Sequence, residues 1–135
     1  MASVHSEEEQ QFLVGLDVGS DFGIGWLGGL RDPANHSNWL WSDGTPWDYS
    51  NWALGEPNDG LQGLEDCAHM WESGHLPLAE RHRWNDRPCS HLRTFVCKKG
   101  RKTLDTENQN TFSVFILSLP PYFFLFSFNT TFYKN

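Results

Sequence analysis

The aromatic residues of this chain fall into two separate blocks. All seven Trp lie within residues 26–84, whereas seven of the ten Phe lie within residues 112–132. A length of 135 residues is enough to enclose one hydrophobic core. We therefore expect a single Trp-rich domain over 1–98, followed by a hydrophobic, Phe-rich C-terminal tail over 99–135 that is disordered or not part of the domain.

The charge of the chain changes at the same boundary. Residues 1–97 carry 15 acids and 5 bases, whereas residues 98–135 carry 2 acids and 5 bases, and the whole chain has a net charge of −7. A surface with an excess of acids repels a phosphate backbone. Nucleic acid is therefore not expected as a partner.

The tail contains an uncharged run of 17 residues, Phe112–Phe128. A membrane-spanning helix needs about 20 apolar residues, and Pro120-Pro121 would break a helix at its centre. We therefore expect no membrane association. A membrane anchor and an unnatural end to the chain remain as alternatives for this run.

Local patterns predict an α+β fold with one short helix. Ser6 and Glu9 are spaced as in a capping box, and apolar residues follow at helical spacing, so a helix is expected over about 7–16. Short strands are expected at Ile24–Leu30, Trp39–Trp41, Ala68–Trp71, Arg83–Asn85 and Leu92–Cys97. The segment 43–66 is rich in Gly, Pro, Asn and Asp, and a loop of that length is usually functional.

Most of the tryptophans are expected in the core rather than on a ligand-stacking surface. This applies to Trp26, Trp39, Trp41, Trp52 and Trp84. For Trp47, which lies in the long loop, both interpretations remain open.

Three cysteines, Cys67, Cys89 and Cys97, predict one disulfide and one leftover thiol. Two glycosylation sequons, at Asn35 and Asn129, favour an extracellular, secreted glycoprotein. Three reduced cytosolic cysteines are the alternative. Because Met1 is followed by polar residues rather than by a secretory leader, a secreted chain of this kind would be a fragment.

Three segments supply side-chain oxygens at short spacing, namely Glu56-Pro57-Asn58, Glu65-Asp66 and Asn85-Asp86. Ca²⁺ takes six to eight oxygen ligands from carboxylates, amides and backbone carbonyls. A Cys67–Cys89 bridge would bring the second and third segments together. The irregular spacing of the histidines does not suggest zinc, and no catalytic constellation is apparent, so an enzyme is not expected.

Taken in order, these segments resemble the C-type lectin-like domain family. The motifs that carry the resemblance are Ser3-Val4-His5-Ser6-Glu7-Glu8-Glu9, Trp26-Leu27-Gly28-Gly29, Trp41-Ser42-Asp43-Gly44, Asn51-Trp52, Glu56-Pro57-Asn58, Glu65-Asp66-Cys67, Trp84-Asn85-Asp86, Cys89 and Phe95-Val96-Cys97. They cover residues 1 to about 98.

The resemblance implies a C-type lectin-like fold of small antiparallel sheets, with one remaining helix and a long calcium-binding loop. The family's first strand and first helix would precede this chain, and so would the cysteine that pairs with Cys97. A disulfide between Cys67 and Cys89 is implied as well.

The resemblance also implies the ligands. Glu56 and Asn58 would flank a cis Pro57 and hold Ca²⁺ together with Glu65, Asn85 and Asp86. The same five residues would bind two sugar hydroxyls. The Glu-Pro-Asn order is the mannose-type variant, suited to glycans with equatorial 3- and 4-hydroxyls of the mannose, N-acetylglucosamine, glucose or fucose type.

The function expected from these features is calcium-dependent, mannose-type carbohydrate binding without catalysis. A lectin-like domain that binds a protein or an ice surface is the alternative, because fold does not fix function. A second calcium ion at Asp59, Glu65 and Asp66 is left open. One shallow site binds weakly, so an oligomer would supply avidity.

Overall fold

The computed structural model describes residues 1–16, 25–60, 63–71, 81–91, 93–100, 109–116 and 126–133. These ranges contain one helix and seven strands: α1 (Glu7–Leu16), β1 (Trp26–Arg31), β2 (Trp39–Trp41), β3 (Cys67–Met70), β4 (Trp84–Arg87), β5 (Phe95–Gly100), β6 (Gln109–Ile116) and β7 (Phe126–Tyr133). The strands join one sheet in the order β4-β3-β1-β5-β6-β7, and β2 pairs with β1 outside this path. Every pair is antiparallel except β1 with β5. The predicted α+β class is confirmed.

Helix α1 has the bounds that its capping pattern predicts. The backbone N–H of Glu9 donates to Oγ of Ser6 at 3.3 Å. The Glu9 carboxylate accepts from the backbone N–H of His5 at 2.9 Å, one residue further back than a capping box places it. It also accepts from Nζ of Lys98 on β5 at 3.0 Å. Glu9 therefore both stabilises the helix start and fastens the helix to the sheet.

The five predicted strands are all present; β2 has the predicted bounds and the other four have shifted ends. Strand β4 extends to Arg87 because each of its residues pairs with a residue of β3. Strand β5 runs from Phe95 to Gly100 because all six of its residues pair with β6. The predicted first residues Ile24 and Leu92 lie outside the described ranges.

The structure gives the C-terminal tail two strands that the sequence analysis did not predict. Residues 110–115 of β6 pair with β5, and β7 pairs with β6 from Gln109↔Tyr133 to Ile116↔Phe126. Both strands are rich in aromatic and β-branched residues, which favour extended backbone. The tail therefore contains strands β6 and β7, whereas the domain boundary at residue 98 and the exclusion of the tail from the domain stay predictions.

A membrane-spanning helix is not found in the part of the chain that the structure describes. The helix present there, α1, has 10 residues, and a span requires about 20.

The core is centred on Trp84, which is fully buried. Its indole ring packs edge-on against Trp41, Trp47 and Trp52 at centroid distances of 5.7–5.8 Å. Its Nε1–H donates to Oε1 of Gln10 on α1 at 2.9 Å. The hydrogen bond satisfies the polar atom of a large buried ring, so Trp84 links the helix, the sheet and the long loop.

The other tryptophans also follow the prediction. Trp26, Trp39 and Trp41 are buried, and Trp52 is half-buried against the core. Trp47, for which the sequence left two interpretations, stacks on Trp41 at 4.2 Å. This stacking requires Gly29 on β1, because a Cβ there would lie 2.8 Å from Cβ of Ala68 and 3.1 Å from the Trp47 ring.

Replacing Trp84 by Ala should lower the free energy of unfolding by about 3–5 kcal/mol, because the substitution leaves a cavity and removes a buried hydrogen bond. Leu54→Ala is the matched control, since Leu54 is 90% exposed, and its effect should stay within about 0.5 kcal/mol. Urea denaturation followed by far-ultraviolet circular dichroism measures both. Equal midpoints for the two variants would contradict the central position of Trp84.

Candidate functional site

The long loop is fixed to strand β4 before it reaches the predicted ligands. The N–H of Ala53 donates to the carbonyl of Trp84, and the N–H of Trp84 donates to the carbonyl of Asn51, both at 2.8 Å. The N–H of Glu56 then donates to the Ala53 carbonyl at 3.0 Å and closes a turn. The Glu56–Pro57 peptide bond is cis, as the resemblance implied.

The side chain of Asp86 organises the next part of the loop. It is fully buried. Oδ1 accepts from the N–H of Asn58 at 3.0 Å, and Oδ2 accepts from the N–H of Asp59 at 2.8 Å. Asp59 has a φ of 52°, a left-handed conformation that Asp tolerates better than most residues. One buried carboxylate therefore holds two successive backbone amides of the loop.

Three further predicted ligands meet beside this turn. Nδ2 of Asn58 donates to Oε1 of Glu56 at 2.9 Å, and Oε2 of Glu65 accepts from the N–H of Gly60 at 2.6 Å. A Cβ on Gly60 would lie 2.7 Å from Oδ1 of Asn58 and 3.2 Å from Oε2 of Glu65. A side chain at residue 60 would therefore displace both ligands.

The charged form of Glu56 is disfavoured in this arrangement. Burial raises the pKa of Glu56 to about 7, and the nearby carboxylates of Asp86 and Glu65 act in the same direction. Its Oε2 is buried and has no hydrogen-bond donor. Buried carboxylate oxygens without a partner are costly, so this position favours a cation.

Asn85, the fifth predicted ligand, is oriented by a different neighbour. Its Nδ2 lies 3.1 Å from Nε2 of His69 on β3, and Nδ1 of His69 lies 3.1 Å from the Met70 carbonyl. These distances fit a neutral imidazole that donates from Nδ1 and accepts at Nε2. The hydrogen-bond partner of Asn85 therefore differs from those of its neighbour Asp86.

The structure therefore brings Glu56, Asn58, Glu65 and Asp86 into one connected group and places Asn85 beside it on β4. Within the described ranges, no three His, Cys, Asp or Glu side chains form a metal cage. The three carboxylates of Glu56, Glu65 and Asp86 therefore do not form a closed cage by themselves, and the amides of Asn58 and Asn85 would complete the donor set. Its hard oxygens and the unpartnered Oε2 of Glu56 fit Ca²⁺ rather than a thiolate- or imidazole-binding metal.

The predicted disulfide between Cys67 and Cys89 is present, with a Cα–Cα distance of 5.1 Å. It joins the residue after Glu65-Asp66 to the loop that follows β4. Cys97 is outside a disulfide.

Sequence reasoning missed the contributions of Arg31, His69 and Gly60. The guanidinium of Arg31 lies 2.6 Å from Oδ2 of Asp86. One signal pointed to it: Arg31 directly follows an apolar strand and is one of only 5 bases among residues 1–97. His69 and Gly60 carried no comparable signal, because their roles depend on cross-strand register and on loop conformation.

An aromatic pocket of about 460 Å³ borders the cis turn at Pro57. Its lining residues are Ser37, Asn38, Trp39, Leu40, Trp47, Trp52 and Pro57.

A helix on a mainly antiparallel sheet, with a disulfide beside a long loop of carboxylate and amide ligands, defines a lectin-like binding domain. Comparison with known families agrees, since the family described as "Lectin C-type domain" matches residues 1–99. The chain belongs to this family. C-type lectin domains are generally non-catalytic, so the prediction that the chain is not an enzyme is confirmed.

Several relatives and solved structures are similar to the chain. A "C-type lectin mannose-binding isoform" of Oxyuranus scutellatus is 38% identical over 103 residues, covering 73% of this chain and 59% of the relative. The "Low affinity immunoglobulin epsilon Fc receptor" of Mus musculus is 42% identical over 100 residues, covering 73% of this chain and 26% of the receptor. The carbohydrate-recognition domain of the mouse scavenger receptor C-type lectin has a TM-score of 0.59 and 33% identity, covering 78% of this chain and 72% of that one.

The C-type lectin CEL-I from Cucumaria echinata has a TM-score of 0.54 and 27% identity, covering 67% of this chain and 60% of that one. These likenesses confirm the predicted fold. The chain spans about 59% of the length of the C-type lectin from Oxyuranus scutellatus.

The buried imidazole of His69 should make stability depend on pH. Burial lowers its pKa from 6.5 to about 4, so between these values the unfolded chain binds more protons than the folded one, and stability falls as the pH falls. From pH 7 to pH 5 the contribution of His69 to this loss should be about 2 kcal/mol. The raised pKa of Glu56 acts in the opposite direction over the same range. The test is therefore the difference in free energy of unfolding between wild type and His69→Gln, measured by urea denaturation at both pH values, which should change by about 2 kcal/mol. An unchanged dependence in His69→Gln would contradict the assignment.

Proposed function

We propose that this domain is a calcium-dependent carbohydrate-binding module of the mannose type. The observation that carries the proposal is the buried, unpartnered Oε2 of Glu56, in a group that contains the carboxylates of Glu65 and Asp86. Three carboxylates in one neighbourhood repel each other, and one divalent ion would neutralise most of that charge.

The residues that would hold the ion are those that the sequence predicts: Glu56, Asn58, Glu65, Asn85 and Asp86. Ca²⁺ accepts oxygen ligands in a flexible geometry. Nδ2 of Asn85 faces His69, so Oδ1 of Asn85 would be the atom that binds the ion. Asp86 would also offer its backbone carbonyl. When bound, the ion would supply open coordination positions for sugar oxygens.

The sugar would be recognised by paired hydroxyl groups. A hydroxyl both donates and accepts, a carboxylate only accepts, and an amide can donate. Asn58 donates to Glu56 at 2.9 Å, so a carboxylate acceptor and an amide donor already lie side by side. This combination suits vicinal equatorial 3- and 4-hydroxyls, as in mannose, glucose, N-acetylglucosamine and, in an equivalent arrangement, fucose.

Relatives support this proposal and one competitor. The similar protein from Oxyuranus scutellatus is described as mannose-binding, which favours a glycan. The similar mouse protein is described as an immunoglobulin epsilon Fc receptor, which favours a protein ligand as the second candidate. The chain retains the complete set of predicted calcium ligands, so we favour a glycan over a protein as the ligand.

The disulfide between Cys67 and Cys89 supports an extracellular, secreted location, because disulfides persist in oxidising compartments. A single shallow site would bind weakly, so several copies of the domain would supply useful avidity.

Calcium should raise the melting temperature of the protein, because it binds the folded state. At a calcium concentration 100-fold above the dissociation constant, the free energy of unfolding should increase by about 2.7 kcal/mol.

The protein should also be retained on mannose-agarose in calcium and eluted by a chelator. Glu56→Ala should lose both effects, whereas the control Glu8→Gln, on the exposed part of α1, should keep them. Retention independent of calcium would contradict the proposal, and a calcium response without sugar retention would favour the protein ligand.

Exchanging the acid and the amide at the turn should change the sugar preference. In the double variant Glu56→Gln/Asn58→Asp, donors and acceptors swap places, so galactose should compete better than mannose. The preference should shift by about tenfold, which corresponds to one hydrogen bond of about 1.4 kcal/mol. Competitive elution with the two monosaccharides measures the shift. An unaltered mannose preference would show that residues 56 and 58 do not contact the sugar.

A further inference from the structure

Arg31 lies at the end of β1, where that strand meets the ligand loop. Its side chain is only 8% exposed. Nη2 donates to Oδ2 of Asp86 at 2.6 Å and to the backbone carbonyl of Glu65 at 3.1 Å, and Nε also reaches that carbonyl at 3.3 Å. The guanidinium therefore connects β4 to the segment that carries Glu65.

Arg31 makes further contacts on its outer side. Nη1 donates to the carbonyl of His36 at 2.9 Å, Nε lies 3.5 Å from Oδ1 of Asp66, and the guanidinium carbon lies 4.8 Å from the centroid of the Trp39 ring. Only a planar group with several donors in fixed directions can make such a set of contacts. The side chain is therefore held in one place, and so are the groups that it binds.

We propose that Arg31 is a positioning residue of the ligand loop, a fixed cation that holds Asp86 and the Glu65 segment together. This inference rests on the proposed calcium-dependent function. It assigns a role to a residue that would not itself contact the ion or the sugar.

The ion pairs of Arg31 lie in an acidic part of the molecule. Five acids lie in or beside the loop, namely Glu56, Asp59, Glu65, Asp66 and Asp86. Arg31 is paired with two of them, Asp86 and Asp66. Removing Arg31 would therefore remove an ion pair from both of these acids.

The sign of the effect on calcium affinity separates positioning from simple electrostatics. Removing a positive charge next to the site would strengthen cation binding if only the charge mattered. Removing a positioning contact would weaken it, and the loss of a partner that orients a metal ligand typically costs 10–100-fold in metal affinity. A purely structural role would lower the melting temperature equally with and without calcium.

The experiment compares wild type, Arg31→Gln and Arg31→Lys, with Arg83→Gln as the matched control. Arg83 is exposed and donates to Oδ1 of Asn51 at 3.3 Å. Calcium is titrated calorimetrically for stoichiometry and dissociation constant, and melting temperatures are measured in calcium and in chelator. We expect a calcium affinity about 10-fold or more weaker in Arg31→Gln than in wild type, a smaller loss in Arg31→Lys, and no change in Arg83→Gln.

An equal or higher calcium affinity in Arg31→Gln would overturn the inference and leave the proposed function intact. No calcium binding by wild type would instead overturn the proposed function as well. If Arg31→Gln does not fold, Arg31→Lys decides. Lysine can reach Asp86 or the Glu65 carbonyl but not both in the same geometry, so a weaker affinity supports the inference and a wild-type affinity overturns it.

Discussion

The burial of Trp84 is the constraint on which the rest of the domain depends. Its ring fills the centre of the core, and its Nε1–H donates a hydrogen bond to Gln10 of the helix. Its backbone holds Asn51 and Ala53 of the long loop at 2.8 Å. The next two residues along β4 are Asn85 and Asp86. Strand β4 therefore contains both the central residue of the core and two of the predicted ligands.

This linkage explains how an irregular loop keeps a defined shape. Loops lack the repeating hydrogen bonds of helices and strands, so their backbone groups need other partners. Asp86 supplies acceptors for Asn58 and Asp59, and Glu65 supplies one for Gly60. Acidic side chains thus act as structural acceptors in this loop, in addition to the ligand role that we propose for them.

The sequence was informative wherever short-range patterns determine structure. The capping pattern at Ser6 placed α1, and the apolar runs placed β1 to β5 within a few residues. The family resemblance named the disulfide, the cis Glu56–Pro57 bond and the grouping of Glu56, Asn58, Glu65 and Asp86. Motif spacing carries this information because each motif corresponds to one turn or strand.

The sequence did not predict the structural features that depend on contacts between distant residues. Strands β6 and β7 form by pairing with β5 and with each other, and composition alone suggested disorder there. The contact between Asn85 and His69 depends on the register of β4 against β3. The ion pair of Arg31 with Asp86 joins residues 55 positions apart. Such partners are selected by the folded geometry, which no local pattern specifies.

The crowding of indole rings has a spectroscopic consequence. Trp39, Trp41, Trp47, Trp52 and Trp84 form a chain of neighbours with centroids 4.2–6.2 Å apart. At such separations the excited states of neighbouring rings interact, so the near-ultraviolet circular dichroism and the fluorescence of the cluster depend on how the rings pack. Because Trp47 and Trp52 also line the pocket beside Pro57, the domain carries an intrinsic optical reporter at the edge of its loop.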